Sequence, residues 1–142
     1  MKAVLVALVA LVALVALVAC GAPQPAKPVP PKSIQLNVTG ALVQVADHLE
    51  PGYVTVVDFW AESCGACHTV GAMLATGVAH EPRVLIRKID VGDGFTPVAE
   101  AYGVNALPHY RIYDKHGKER HVLVGNDCTK ASDLAKRLAG EP

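Results

Sequence analysis

The sequence predicts an α/β fold, a mixed central β-sheet with helices on both faces. Three observations predict it. Two apolar runs rich in β-branched and aromatic residues, Tyr53–Trp60 and Val84–Val91, have the length and composition of buried strands. Helix-compatible stretches separate and follow them, and such alternation goes with parallel pairing. Further on, His109–Tyr113 and Glu119–Val124 flank Asp114-Lys115-His116-Gly117, a hairpin signal that adds antiparallel strands.

Taken in chain order, Ile34–Val38 alternates apolar and polar residues and is expected as a short first strand. Gly40–Leu49 is expected as a helix with Leu42, Val45 and Leu49 on one face, broken by Pro51-Gly52. The strand Tyr53–Trp60 follows, then a helix from Cys64 to about His80, weakened by Gly71 and Gly77 and ended by Glu81-Pro82. After Val84–Val91, Gly92-Asp93-Gly94 is a turn, and Thr96-Pro97 opens a short helix through Tyr102, with proline in a tolerated first-turn position. Gly103 closes it. The hairpin comes next, and Asn126-Asp127 is expected to cap a last helix over Thr129–Leu138, with Leu134 and Leu138 inward. The order is β, α, β, α, β, α, β, β, α.

Ahead of this domain lie two segments of different character. Lys2 is followed by seventeen apolar residues, Ala3–Ala19, in an Ala-Leu-Val repeat. A membrane span needs about 20 residues. The run fits the apolar centre of a secretory signal better. It ends in Leu17-Val18-Ala19-Cys20-Gly21, which resembles the lipobox of bacterial lipoproteins. That resemblance implies cleavage before Cys20, lipidation of Cys20 and a domain held at a membrane outside the cytoplasm; an uncleaved apolar helix and ordinary cleavage are the alternatives. Residues 21–32 contain five prolines in twelve positions and read as an extended spacer, with a reach of up to about 35 Å. Residues 33–142 then form one domain of about 110 residues. Formal charge is zero over the chain. There is no basic stripe, which argues against nucleic acid as a partner.

The chemistry lies in Cys64-Gly65-Ala66-Cys67, directly after the buried run Val54–Trp60. This places one thiol at a strand-to-helix turn and the other one turn into the helix. A helix N-terminus favours negative charge and so stabilises a thiolate. A structural bridge across two residues closes almost no loop and by chain entropy stabilises little, so a working redox pair explains the spacing better. An exported compartment permits disulfides. Cys128 is left alone.

Val57-Asp58-Phe59-Trp60-Ala61-Glu62-Ser63-Cys64-Gly65-Ala66-Cys67 resembles the active-site segment of the thioredoxin family. Lys88-Ile89-Asp90-Val91 resembles its next strand, and Tyr102-Gly103-Val104-Asn105-Ala106-Leu107-Pro108 the segment holding its cis-proline. Gly117 and Gly125 fall where that family turns its terminal hairpin and leaves it. The resemblance spans residues 42–138. It implies a thioredoxin fold and a thiol–disulfide oxidoreductase that exchanges disulfides with protein substrates and with a membrane or envelope redox partner, without cofactor or metal. Cys64 is then the attacking thiol, Cys67 the resolving thiol, and Asp58 the buried acid that takes the Cys67 proton. Lys88 matches the lysine beside that acid. Pro108 matches the cis-proline packed on the disulfide. Leu107 lends its backbone to a bound strand. Trp60, Gly65 and Ala66 form the surface around the pair. Three departures stand out: Ser63 for a tryptophan, Ala66 for a proline, and His68 for a lysine.

Cys64-Gly65-Ala66-Cys67-His68 also fits the attachment pattern of c-type haem, with His68 as iron ligand. Against it stand the preceding buried strand and the position of Met73, the one methionine besides the initiator, on the same helix as His68. A metal-binding or redox-inert module is the other alternative, and zinc there would want a fourth ligand. Among the remaining residues, Met73 is expected in the core, His109 as a surface strand residue, and Cys128 as a small packed helix residue. Trp60 suits core packing and substrate contact equally.

Overall fold

The computed structural model describes residues 27–142. The signal segment, Cys20 and residues 21–26 of the spacer lie outside the described residues.

Five strands make one sheet: β1 (Ser33–Gln35), β2 (Val54–Trp60), β3 (Val84–Asp90), β4 (His109–Tyr113) and β5 (Glu119–Val124), in the order β1-β3-β2-β4-β5. β1, β3 and β2 run parallel, while β4 and β5 run antiparallel to their neighbours. Three helices complete the layers: α1 (Gly65–Gly77), α2 (Pro97–Tyr102) and α3 (Ala131–Gly140). The sheet is mixed because α1 carries the chain from β2 to the parallel β3, whereas the segment through α2 delivers β4 antiparallel to β2 and a tight turn joins β4 to β5. Asp114 organises that turn, its Oδ1 accepting from the amides of His116 and Lys118 at 3.0 Å each, and Gly117 supplies the positive φ of 78°.

Side chains of a strand alternate faces. Val54, Val56 and Asp58 of β2 therefore face α1 and α3, while Val57 and Phe59 face the α2 side. The first face packs Val70 and Leu74 of α1, Val78 just beyond it, and Ala135 and Leu138 of α3 over Ile86, Tyr110 and Ile112. The second packs Ile89, Val91 and Val98 around Phe59, with Tyr102 against them. Of the second strand, every residue but Trp60 is buried. An apolar interior thus surrounds the single carboxyl, Asp58.

Several expectations need correction. No helix spans Gly40–Leu49; only Val45–His48 forms a short 3₁₀ turn. Gly40 sits at φ 72°, Leu42 stays exposed, and the backbone of Val43 and Val45 bonds the Tyr102 hydroxyl instead of a helical partner. β1 is shorter than expected because the Asn37 side chain takes over both backbone groups of Asp90. The last helix begins at Ala131, after a 3₁₀ segment Gly125–Lys130, and Asn126-Asp127 does not cap it. Asp127 pairs with Lys130 at 2.7 Å instead.

Two residue placements also differ. Met73 is half exposed, because the inward stripe of α1 is Cys67, Val70 and Leu74, and Met73 lies one residue off it. His109 is buried, packed edge-on against Phe59 at 5.5 Å between centroids, since β4 is covered on the side it faces. Cys128 is buried as expected, though in the 3₁₀ segment rather than in a helix.

Of the proline-rich spacer, residues 27–32 lie against the domain. Lys27 pairs with Glu50 at 2.8 Å, and Ile86 donates its amide to Lys32 O at 2.8 Å. The buried Arg87 guanidinium reaches Pro31 O at 3.1 Å.

Candidate active site

β2 ends at Trp60, and the chain turns through Ala61-Glu62-Ser63 into α1, with Cys64 as its N-cap. Cys64 Sγ accepts a hydrogen bond from the Cys67 amide at 3.1 Å. That amide is one of the donors a helix start leaves unpaired, so the same geometry caps the helix and supports negative charge on Cys64. Cys64 and Cys67 are joined by a disulfide, their Cα atoms 5.2 Å apart. Cys64 is half buried and Cys67 buried; Gly65 and Ala66 between them are exposed. One sulfur faces partners and the other faces the protein. In this state the sulfurs are bonded to each other, which leaves neither for the thioether links of the haem alternative. Among the described residues, no group of three or more His, Cys, Asp or Glu could hold a metal ion.

Behind Cys67 a cleft of about 270 Å³ opens between α1 and the sheet, lined by Asp58, Trp60, His68, Gly71 and Lys88 as well as Cys67 itself. Asp58 is 2% exposed and its Oδ1 has no hydrogen-bond partner. Burial pushes its carboxyl up to about 6, opposed by the nearby Lys88 and His68. Lys88 is the register partner of Asp58 on β3, and its Nζ sits 4.2 Å from the centroid of the Trp60 ring. The Trp60 indole N–H donates to Gln35 Oε1 at 3.0 Å. Trp60 is thus a half-buried wall of the cleft, neither wholly core nor wholly free.

The Leu107–Pro108 peptide is cis and leads directly into β4. Pro108 O accepts from the Gly125 amide at 2.8 Å, which fixes the turn to the start of the last 3₁₀ segment. Leu107 and Cys64 pack on the same apolar cluster, so the proline turn and the cysteine pair share one end of the molecule. The structure therefore brings together Cys67, Asp58, Lys88 and Trp60 around one cleft; Cys64 and Leu107 pack on the apolar cluster of the other sheet face, Gly65 and Ala66 are exposed between the cysteines, and Pro108 is buried.

Three features escape a reading of the sequence. Tyr110 is the register partner of Asp58 on β4, fully buried, its hydroxyl without a partner. Burial, then Asp58 and Cys128, raise its phenol well above the ordinary range. The signal was the alternation of β4, which puts Tyr110 on the Asp58 face. Ser63 Oγ donates to Asp93 Oδ1 at 2.5 Å, tying the active-site turn to the Gly92–Gly94 loop. Nothing local in the sequence announces a contact thirty residues apart. His68 Nε2 donates to Glu62 O at 2.9 Å, and its ring meets Trp60 edge-on at 5.7 Å.

The thioredoxin family model matches residues 44–139, more than half of the chain. The thioredoxin of Mycoplasma pneumoniae is 32% identical over 85 residues, covering 60% of this chain and 81% of that protein. The X-ray structure of Fasciola hepatica thioredoxin superposes with a TM-score of 0.54 at 29% identity, covering 66% of this chain and 88% of that one. A thioredoxin variant from Halobacterium salinarum shares the fold at a TM-score of 0.62 and 24% identity, over 82% of this chain and 98% of that one. A matching family, a matching fold and a closed two-residue cysteine bridge at a helix start lead to one statement: the chain belongs to the thioredoxin family and is a thiol–disulfide oxidoreductase of the two-cysteine type.

Proposed function

We propose that this protein exchanges disulfides with protein substrates at the surface of a membrane, on the extracytoplasmic side, tethered through a lipid on Cys20. The observation that carries the exchange reaction is the asymmetry of the pair: Cys64 caps α1 at the surface, and Cys67 faces the cleft that holds Asp58. The tether rests on the apolar run Ala3–Ala19 ending in Leu17-Val18-Ala19-Cys20.

In the reducing direction, the Cys64 thiolate attacks a substrate disulfide. One substrate sulfur leaves as thiolate and takes a proton from water, and the other stays bonded to Cys64. Cys67 gives its proton to the Asp58 carboxylate, and the resulting thiolate attacks Cys64 Sγ. The second substrate sulfur leaves, and the Cys64–Cys67 bond closes. The substrate has gained two electrons and the pair has lost two. A dithiol partner in the membrane or envelope then reopens the bond. With the electron flow reversed, the same groups oxidise dithiols. Leu107 is suited to offer backbone to an extended substrate segment beside the pair.

Reduction of insulin disulfides by dithiothreitol tests the reaction: wild type accelerates it and Cys64→Ser does not. Equal rates for the two would refute the assignment of Cys64. For the tether, the wild-type chain expressed in a bacterium should stay with washed membranes and Cys20→Ser should not; a wild-type chain in the soluble fraction would refute lipidation.

A further inference from the structure

His68 stands where the resemblance leads one to expect lysine, and its surroundings are unusually fixed. It follows Cys67 in α1 and lines the same cleft as Asp58, Lys88 and Trp60. The Trp60 ring has Lys88 Nζ 4.2 Å from its centroid and the His68 ring 5.7 Å away at 71°. One indole thus holds two basic side chains at the mouth of a cleft whose buried wall is a carboxyl. A carbonyl only accepts, so His68 Nε2–H donates to Glu62 O in both charge states of the ring. That anchor therefore uses only Nε2 and leaves Nδ1 out of it.

We propose that His68 is a positioning residue for the Cys67 proton transfer, its imidazolium acting through the Asp58 carboxyl across the shared cleft to hold that carboxyl ionised at the acid end of the working range.

This rests on the reading of Asp58 as proton acceptor. Asp58 Oδ1 has no hydrogen-bond partner, so its negative charge is compensated through space. The groups facing it are Lys88 on β3, Cys67 and His68 on α1, Tyr110 on β4 and Cys128 in the 3₁₀ segment. Burial lifts Tyr110 and Cys128 far above neutrality, so both stay uncharged. Of the basic side-chain types, histidine is the one whose charge changes between pH 5 and 8. Burial raises Asp58, and both Lys88 and His68 work against it.

The test is the pH dependence of Cys67 attack, read as the second phase of thionitrobenzoate release when reduced full-length protein meets Ellman's reagent in a stopped-flow instrument. His68→Gln, which removes the charge, should move the acid limb up by about half a pH unit or more. His68→Lys, which keeps a cation there, should retain the wild-type acid limb. The displacement in His68→Gln should shrink in concentrated salt, because His68 is exposed. A wild-type limb in His68→Gln, or the same displacement in both variants, would overturn the proposal. Asp58→Asn separates the two levels. If it keeps the wild-type acid limb, the acceptor reading itself is wrong. If it loses that limb while both His68 variants retain it unmoved, only the role of His68 fails.

Discussion

Asp58 and Lys88 are register partners on neighbouring parallel strands, yet no hydrogen bond joins them: the lysine ammonium lies over the Trp60 ring and the carboxyl keeps an unpartnered oxygen. A direct ion pair would hold Asp58 as a low-pKa anion and make it a poor base. Held at a distance, the lysine only moderates the effect of burial. The carboxyl ends near 6, close to the range in which a proton acceptor works well.

That arrangement costs stability, and the sign is definite. The folded carboxyl titrates at about 6, above the ordinary 3.8, so between these values the folded chain keeps a proton that the unfolded chain has lost. Stability from this group is complete below about pH 4, falls as pH rises, and levels off above about 6.5. The whole difference is on the order of 3 kcal/mol. Asp58→Asn should therefore match wild type in urea unfolding at pH 3.5 and exceed it at pH 7 by about 1–3 kcal/mol, while slowing turnover. A stability difference that does not change between pH 4 and 7 would show that the carboxyl is not perturbed.

Two of the three glycines of α1, Gly71 and Gly77, serve different purposes. A methyl group on Gly77 would meet Ser132 Cβ at 2.6 Å and Oγ at 2.8 Å, so the glycine sets how closely α1 approaches α3. Gly77→Ala should cost about 1–3 kcal/mol of overpacking, seen as a lower Tm. On Gly71 the methyl would make ordinary contacts, 3.7 Å from Asp58 Oδ2 and 4.0 Å from the Tyr110 hydroxyl. Gly71→Ala should raise stability by about 0.5–1 kcal/mol through the lost backbone freedom of glycine. Equal thermal shifts for the two variants would contradict the packing described.

Arg87 is buried and bonds Pro31 O, His48 O and Ile86 O, so it fastens the proline-rich segment to the domain. Arg87→Met should leave the carbonyls of Pro31 and His48 without this donor. The Ile86 amide, which bonds Lys32 O, should then exchange with deuterium at least tenfold faster, equivalent to a local loss of about 1.4 kcal/mol. Release of residues 27–32 would free a segment with an extended reach of about 19 Å. Unchanged exchange at Ile86 would show that Arg87 does not hold the segment.

Cys128 is buried, donates to Leu123 O and Pro108 O, and burial pushes its thiol up to about 12. In native reduced protein, iodoacetamide at pH 8 should alkylate Cys64 readily and leave Cys128 unmodified until denaturant is added. Rapid labelling of Cys128 in the native state would contradict its burial.

The sheet and the cysteine pair were legible because their signals are local. Val54–Trp60 is continuous β-branched and aromatic sequence, and the two cysteines fall directly at its exit. Asp58 was legible as the odd residue inside that run. The failures came where tertiary contacts overrode local pattern. Leu42, Val45 and Leu49 have helical spacing, but the Tyr102 hydroxyl claims the backbone on either side of Gln44. His109 looked like a surface residue because histidine is polar, and only the covered face of β4 shows that it is buried. Met73 looked like core by composition, yet one residue of rotation along α1 takes it off the inward stripe. Ser63 and Asp93, thirty residues apart, meet through topology alone.

The most direct test of the account is to offer reduced Cys67→Ser protein to a disulfide-containing substrate and analyse the products by non-reducing mass spectrometry. With the inner sulfur gone, the account predicts a long-lived covalent adduct on Cys64, dissolved by dithiothreitol and absent from both wild type and Cys64→Ser. An adduct on Cys128, or none at all from a variant shown to be folded, would contradict it.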